Sequence, residues 1–277
     1  MTSALEEHTR LILDGTKIAW YEERIRAWER GERIAPITID MALTRACNFA
    51  CVYCYAMLQE NARKSITSEV MRGFLDDCAA IGVRGVSLVS DGESSVSPAF
   101  VDTIVHGHEV GLSMACGTNG YLLEPDLLEV ILPRLTYLRI NITAGEPARY
   151  AEIMGVTEEH YHRVVENIRA MVAIKERDSL PVTIGLQMVL MPEFADQVLP
   201  LARLGQELRP DYLVIKHCSD DEDGSLGVDY SEYQRLHDLL REAESLSDPE
   251  YLVQAKWSKI AAEGRRSYQR CYGPPFI

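Results

Sequence analysis

Residues 44–55 read TRACNFACVYCY and place Cys47, Cys51 and Cys54 at a C-x3-C-x2-C spacing. Cysteine thiolates are the usual protein ligands of iron–sulfur clusters, and a [4Fe–4S] cubane takes four ligands. Three cysteines on one short loop therefore predict a cluster with one iron open to a small molecule. Two alternatives remain at this point: a zinc loop completed by a fourth ligand elsewhere, or three unrelated buried thiols.

Around this loop, apolar runs typical of buried strands alternate with runs of helical periodicity from residue 36 onward. Six such β–α units predict a parallel sheet covered by helices, and we expect an α/β fold with a partial (β/α)6 TIM-like barrel. A doubly wound open sheet is the alternative. The predicted strands are 36–43, 84–90, 112–117, 136–142, 182–190 and 211–216, and the predicted helices are 66–80, 97–110, 125–132, 158–176, 194–207 and 231–245.

Polar motifs follow the predicted strands, where the active sites of barrels lie. The cysteine loop follows the first strand. SDGESS, residues 90–95, follows the second, and it offers a glycine for close backbone approach and a carboxylate for an ammonium group. Without that context, SDGESS would be an ordinary polar turn.

The cysteine loop and the 90–95 motif together resemble the signatures of the radical S-adenosylmethionine (radical SAM) superfamily, over about residues 36–217. In that family the loop holds a [4Fe–4S] cluster, whose open iron is bound by the amino and carboxylate groups of SAM. The reduced cluster cleaves SAM into methionine and a 5′-deoxyadenosyl radical, which abstracts hydrogen from the substrate. The resemblance implies an enzyme with both cofactors, and an electron donor such as flavodoxin or ferredoxin as a partner.

The resemblance also implies how the SAM amino group is held. Asp91, Gly92, Glu93 and Ser94 occupy the positions of the family's GGEP motif, which grips that group. Asp91 replaces the first glycine and Ser94 replaces the proline, so the geometry of the loop is what these departures put in question. Glu93 keeps the carboxylate on which the chemistry depends.

Further SAM contacts are implied at the ends of the next strands. The TNG turn of CGTNGY, residues 116–121, would line the SAM cavity, although it is also a common Asn-Gly turn. Thr143 stands where relatives often carry an aspartate. Gln187 is the polar exception in an apolar strand, and a buried glutamine needs partners. The expected SAM-binding residues of this group are Tyr53, Asn119, Asn141 and Gln187, with simple packing as the alternative for Tyr53.

The run after the sixth predicted strand, KHCSDDEDGS at residues 216–225, supplies the candidates for substrate chemistry. We expect Lys216 and Cys218 to act in catalysis, with Cys218 as a hydrogen-atom donor, an auxiliary cluster ligand or a bystander. Asp220 and Asp221 could accept hydrogen bonds from sugar hydroxyls, while Lys216 could meet a phosphate. A merely solvated acidic loop is the alternative.

Composition excludes several classes of function. The chain of 277 residues has a formal net charge of −14, which disfavours nonspecific binding to nucleic acid. It has no apolar run long enough for a membrane span, and its polar start, MTSALEEHTR, is not a secretory signal. Seven cysteines without a disulfide-like spacing favour a reducing compartment. We expect a cytoplasmic protein that binds neither membrane nor nucleic acid.

Three regions are predicted: a helical lead-in at 1–35, the barrel at 36–246, and a C-terminal segment at 247–277. Cys271 with the two following residues resembles the opening of a SPASM or twitch extension, so we expect a truncated chain and an auxiliary iron–sulfur cluster in a longer parent. The favoured substrate is a small polar molecule of natural-product biosynthesis, such as a sugar, nucleoside or nucleotide-sugar. A ribosomal peptide is the alternative substrate, and a noncatalytic zinc-binding protein is the alternative from another class.

Overall fold

A parallel sheet of seven strands forms the framework, and its strands are hydrogen-bonded in chain order from β1 to β7. The computed structural model describes residues 15–58, 64–221, 223–265, 269, 271, 273 and 275–277. The predicted α/β class and partial TIM-like barrel are confirmed. The strands are β1 Thr38–Met41, β2 Gly85–Leu88, β3 Ser113–Thr118, β4 Leu135–Asn141, β5 Thr183–Leu190, β6 Tyr212–His217 and β7 Leu252–Ala255.

The seventh strand was not among the six predicted units. β7 pairs in parallel with β6, from Tyr212↔Leu252 to Ile215↔Ala255, so the sheet continues past residue 246, where we expected the barrel to end. Its four residues, LVQA, include a single β-branched side chain, which is a weak strand signal.

Helices cover one side of the sheet and connect successive strands. An additional helix, α5, begins at Pro147, between the predicted fourth strand at 136–142 and the predicted helix at 158–176. Proline is well suited to the first turn of a helix, because the N–H that it lacks has no intrahelical partner there. The helices are α1 Glu22–Glu29, α2 Ser68–Ile81, α3 Phe100–Glu109, α4 Pro125–Ile131, α5 Pro147–Met154, α6 Glu158–Arg177, α7 Val198–Leu208, α8 His237–Glu244 and α9 Trp257–Ile260.

The two faces of the sheet differ in polarity, because strand side chains alternate in direction. On the outer face, Leu88, Leu138 and Ile215 are fully buried in the core beneath the helices. The other face, here called the inward face, is polar. By the register of the strands, the inward face carries Tyr137, Arg139, Asn141, Gln187, Lys216 and Gln254.

The inward face is concave, because residues from distant strands meet across it. The sulfur of Cys218, which follows β6, lies 4.0 Å from the carbonyl oxygen of Tyr53 in the loop after β1. Burial raises the pKa of Asp40 on β1, and the positive charge of Arg139, three strands away, acts against that rise. The sheet therefore curls into a partial barrel whose lumen is polar.

The lead-in is fixed to the barrel mainly through Arg24 of α1. Its guanidinium donates to the carbonyl oxygens of Pro36 at 3.0 Å and Gly82 at 2.9 Å. Phe276 is buried, its carbonyl accepts the Ile37 N–H at 2.8 Å, and its ring meets Trp28 edge-on. Of the predicted lead-in, residues 1–14 lie outside the described residues.

Two further expectations about the chain concern its C-terminal segment and the membrane. Cys271 is exposed, and Tyr272 lies outside the described residues. The C-terminal extension and its auxiliary cluster stay predictions. No helix in the described part of the chain is long and apolar enough to cross a membrane.

Candidate active site

A cavity lies at the carboxyl ends of the first four strands, where the sequence placed the site. The structure brings together residues that are far apart in the sequence, because each follows its own strand at the same edge of the sheet. Besides Tyr53, the predicted residues that line this cavity are Cys47, Cys51, Cys54, Gly92, Glu93, Asn119 and Asn141.

The cysteine loop is held from behind by the end of α5. The N–H groups of Ala50 and Val52 donate to the carbonyls of Met154 and Ile153, at 3.3 and 3.0 Å. Gly155 follows with a φ of +64°, and a Cβ there would lie 2.2 Å from the Ala50 carbonyl oxygen. Only glycine allows the backbone at 155 to lie this close to Ala50. The C-terminal end of α5 can therefore pack directly against the cysteine loop.

Tyr53 anchors the loop through its hydroxyl, whatever its role toward adenine. Thr143 donates to that hydroxyl at 3.0 Å, and the hydroxyl lies 3.3 Å from the sulfur of Met154. The hydroxyl and most of the ring are buried. Packing, the alternative raised for this residue, therefore describes its contacts well. Met154 lines the cavity but was missed, since nothing in a lone methionine marks it as a site residue.

The loop after β2 is pressed against the cysteine loop at Gly92. Its φ is +68°, and a Cβ would lie 2.4 Å from the carbonyl oxygen of Thr44. The next N–H, that of Glu93, donates to the Ala46 carbonyl at 2.9 Å. Ser90 also has a positive φ, +98°, which costs a non-glycine residue energy and is typical of functional loops. The loop after β2 and the cysteine loop thus pack together as one unit.

Asp91, the departure from the first glycine of the family motif, has a partner in the cysteine loop. The Nε atom of Arg45 lies 3.5 Å from its carboxylate, and both side chains are largely buried. The same guanidinium donates to the carbonyl of Ala56 at 3.0 Å. The substitution of glycine by aspartate is therefore matched by an ion pair that joins the two loops, a role for Arg45 that the sequence did not reveal.

The carboxylate of Glu93 is buried and organises the site. One oxygen accepts from the N–H and hydroxyl of Ser95, at 3.1 and 2.7 Å, and from the hydroxyl of Thr118 at 2.7 Å. The other accepts from the Asn119 N–H at 2.7 Å. Among the described residues, no lysine or arginine forms an ion pair with this carboxylate. A buried anion that lacks a paired cation favours a positively charged ligand beside it.

The TNG turn and the end of β4 complete the wall. The Asn119 amide donates to the side-chain oxygen of Asn48 in the cysteine loop at 2.8 Å, a second contact that the sequence did not predict. On the inward face, Gln187 donates to the side-chain oxygen of Asn141 at 2.8 Å. Gln187 does not line the cavity itself, so its contact with Asn141 gives it a positioning role. Ser94 is buried at the start of a short 3-10 helix and is also outside the lining.

Lys216 and Cys218 lie at the end of β6, outside the cavity lining. Lys216 is half-buried on the inward face, and burial followed by the charge of Arg139 lowers its pKa to about 8. Cys218 is buried, and burial raises its pKa to about 11. Its contact with the Tyr53 carbonyl places it against the cysteine loop. The catalytic roles expected for both residues stay predictions.

The carboxylates of Asp220 and Asp221 form hydrogen bonds within their own loop. The Asp220 carboxylate accepts the N–H groups of Asp221, Leu226 and Val228, at 2.8, 2.9 and 3.2 Å. Asp221 accepts both the N–H and the hydroxyl of Ser225. Short polar side chains in loops commonly satisfy nearby backbone donors in this way. The expectation that these carboxylates bind sugar hydroxyls stays a prediction.

The donor set of the cavity fits a cluster better than a single metal ion. Within the described ranges, no three His, Cys, Asp or Glu side chains converge closely enough to hold one ion. In a cubane, each cysteine binds a different iron, so the sulfurs stand farther apart than around one zinc ion. Burial, followed by the neighbouring Cys54 and Cys47, raises the pKa of Cys51 to about 12, which favours the protonated thiol. A cationic iron centre would offset that rise and hold the sulfurs as thiolates.

Comparison with known proteins agrees with this geometry. Residues 41–204 match the family model of the radical SAM superfamily. Among curated relatives, an AdoMet-dependent heme synthase of Methanosarcina barkeri is 32% identical over 34% of this chain and 27% of its own length. An S-adenosylmethionine-dependent nucleotide dehydratase of Pseudoalteromonas ulvae is 28% identical over 41% of this chain and 42% of its own. The chain thus spans well under half of these relatives.

A solved structure extends the fold comparison to most of the chain. SuiB of Streptococcus suis bound to S-adenosylmethionine superposes with a TM-score of 0.66 at 14% identity, covering 91% of this chain and 59% of SuiB. SuiB has also been solved with its precursor peptide SuiA, and that structure gives a TM-score of 0.64 at 14% identity over 84% of this chain and 52% of SuiB. At this identity the likeness concerns the fold alone.

Proposed function

The chain belongs to the radical SAM superfamily of enzymes, whose fold implies SAM and an iron–sulfur cluster, and on that premise we propose its reaction. Cys47, Cys51 and Cys54 hold a [4Fe–4S] cluster that, when reduced, cleaves SAM to the 5′-deoxyadenosyl radical for hydrogen abstraction from a small polar substrate. The carrying observation is that these three cysteines share one cavity with Glu93 and Asn141.

The protein's own residues bind and orient the cofactor in this proposal. Glu93 supplies the negative charge for the SAM ammonium group while its four hydrogen bonds keep the wall rigid. Asn141, with its side-chain oxygen held by Gln187, presents its amide N–H groups to SAM. The exposed side of the loop at Cys47 is open to an electron donor such as flavodoxin or ferredoxin.

The polar lumen supports a small polar substrate over a ribosomal peptide. A peptide with apolar side chains would have to displace water from Arg139, Lys216 and Gln254 without satisfying their polar groups, which is costly. Sugars, nucleosides and nucleotide-sugars carry the hydroxyl and phosphate groups that such side chains bind. The peptide-bound SuiB structure shares only the fold with this chain.

Substrate class is tested with the anaerobically reconstituted enzyme, SAM and a reductant. We expect 5′-deoxyadenosine formation to be stimulated by one or more deuterated sugars, nucleosides or nucleotide-sugars, with deuterium appearing in 5′-deoxyadenosine. The same assay with a library of short peptides serves as the comparison. Stimulation and deuterium transfer from peptides alone would contradict the assignment of a small polar substrate.

Glu93 provides a second test, through binding. Glu93→Ala leaves four donors without this acceptor, two of them buried, and removes the charge beside SAM, so we expect SAM affinity to fall roughly ten- to hundredfold. Isothermal titration of SAM into the reconstituted variant measures this loss. Glu93→Gln keeps the size but removes the charge, and Glu69→Gln on the exposed start of α2 is the control. SAM affinity that stays at the wild-type value in both Glu93 variants would remove this residue from the site.

A further inference from the structure

The inward face of the barrel carries more positive than negative charge, although the chain as a whole is acidic. Arg139 on β4 and Lys216 on β6 both belong to this face by register. The charges of Lys259 and Lys256, just beyond β7, also lower the pKa of Lys216, so these cations lie near one another. Asp40 is an acidic group that the structure places within range of Arg139.

The guanidinium of Arg139 has a donor for which the described part of the protein supplies no acceptor. Its Nε is buried and has no hydrogen-bond partner, and no ion pair to its guanidinium is found among the described residues. Space for this group is created by Gly117, its register partner on β3, where a Cβ would lie 3.3 Å from the Arg139 Nη2. A buried guanidinium donor without an acceptor is expensive unless a ligand satisfies it.

Two neighbours give this part of the lumen a defined shape. The ring of Tyr212 lies across Gly185, where a Cβ would be 2.1 Å from the ring, and so fills the layer beside Arg139. The side-chain amide of Gln254 on β7 also contains a buried oxygen without a partner. A ligand here would meet a guanidinium, an ammonium and an amide around an aromatic wall.

We propose that Arg139 and Lys216 form the seat for a phosphoryl group of the substrate, inside the lumen and separate from the SAM cavity. This deepens the proposed function and rests on it, since it assigns the substrate to phosphorylated or nucleotide-linked small molecules. Arginine binds phosphate oxygens in a bidentate manner, and lysine adds a point charge. The side-chain oxygen of Gln254, which has no hydrogen-bond partner, can accept a hydrogen bond from a hydroxyl of the attached sugar.

The number of cations favours a phosphoryl group over a single carboxylate. Arg139 and Lys216 share this face and the charge of Lys259 also acts on Lys216, while the carboxylate of Asp40 acts on Arg139 from β1. A phosphate ester carries about two negative charges near neutral pH, and a diphosphate carries more, whereas a carboxylate carries one. Burial disfavours the charged form of Lys216 and lowers its pKa to about 8. A bound anion of that charge offsets this cost and favours the charged form.

The test measures binding of pyrophosphate to the reconstituted, SAM-loaded enzyme by isothermal titration, with malonate as the carboxylate probe. We expect one site for pyrophosphate in the lumen, and at least tenfold weaker binding in Arg139→Gln and in Lys216→Gln. Exposed Arg203→Gln and Lys64→Gln are the matched controls, and their affinities should stay within twofold of wild type. Malonate should bind more weakly than pyrophosphate.

Each contrary outcome overturns a defined part of the proposal. Equal pyrophosphate affinity in wild type and both lumen variants, or no binding at all, would contradict the seat. Tighter binding of malonate would contradict its phosphoryl character. SAM cleavage by the wild-type enzyme under dithionite is measured separately: normal cleavage without pyrophosphate binding defeats this inference alone, whereas absent cleavage defeats the proposed function without affecting the titration.

Discussion

Replacing Cys47, Cys51 or Cys54 singly with alanine is expected to abolish SAM cleavage. Each change removes one of three thiolate ligands on a loop that has no spare cysteine within the cavity lining. A cluster that has lost a protein ligand would be unstable, or would no longer present its irons in the same arrangement. Iron and sulfide content of the reconstituted variants, and 5′-deoxyadenosine formed under dithionite, measure the effect. We expect cleavage to fall to the level of the protein-free reaction.

Cys78→Ala is the matched control for these variants. Cys78 is a buried core thiol on α2, so its loss should cost about 1 kcal/mol of stability while cluster content and cleavage remain. Full cleavage in any of the three loop variants would show that the loop does not hold the cluster. Loss of cleavage in a folded Cys78→Ala protein would equally contradict the assignment.

The second large effect is expected at Gly92. An alanine there must adopt a φ of +68° and place its Cβ 2.4 Å from the Thr44 carbonyl oxygen, which is backbone and cannot move aside alone. Conformational strain and overpacking together should lower the free energy of unfolding by about 3 kcal/mol or more. Urea denaturation of the cluster-free protein measures this value. Because the clash displaces the cysteine loop, SAM cleavage should fall as well.

Gly224→Ala separates the two contributions. Gly224 has nearly the same φ, +69°, but no atom within 4 Å of the added Cβ, so only the conformational cost applies, about 1 kcal/mol. The difference between the two variants reports the close approach of the two loops. Equal destabilisation by both would mean that the close approach at Gly92 adds no packing cost, and the contact between the two loops would then contribute no stability.

The sequence predicted the barrel because each strand is a local apolar run and parallel strands need covering helices. What it could not predict was the short β7, whose LVQA has little strand character apart from its pairing with β6. The helix α5 was hidden by its first residue, Pro147, which looks like loop in a linear pattern. Both elements depend on tertiary contacts, which a local sequence pattern does not reveal.

In the candidate site too, features marked by a local sequence pattern were predicted, whereas features that depend on tertiary contacts were not. The cysteines and Glu93 were found because their spacing and position after strands are themselves the signal. The partners of these residues were not, since Arg45, Asn48 and Gly155 act through contacts made across the fold. Asp91 illustrates the point: as sequence it is a departure from the family motif, and as structure it is one half of an ion pair with Arg45.

Asp220 shows the reverse case, in which a conspicuous pattern also has a role in local structure. A run of acidic residues after β6 suggested substrate binding, but the Asp220 carboxylate is occupied by three backbone donors of its own loop. Arg139 gave only a faint signal, as one charge in the strand LTYLRIN, yet its buried Nε has no partner. Charge in a sequence therefore matters less than whether the fold already satisfies it.

The central claim is that SAM binds the open iron of a cluster held by Cys47, Cys51 and Cys54. Electron paramagnetic resonance of the reconstituted and reduced protein, recorded before and after SAM is added, tests it most directly. We expect the signal of a reduced [4Fe–4S] cluster, with a change in its g values when SAM binds the open iron. A spectrum that SAM leaves unchanged, or a colourless protein that contains zinc instead of iron and sulfide, would contradict the claim.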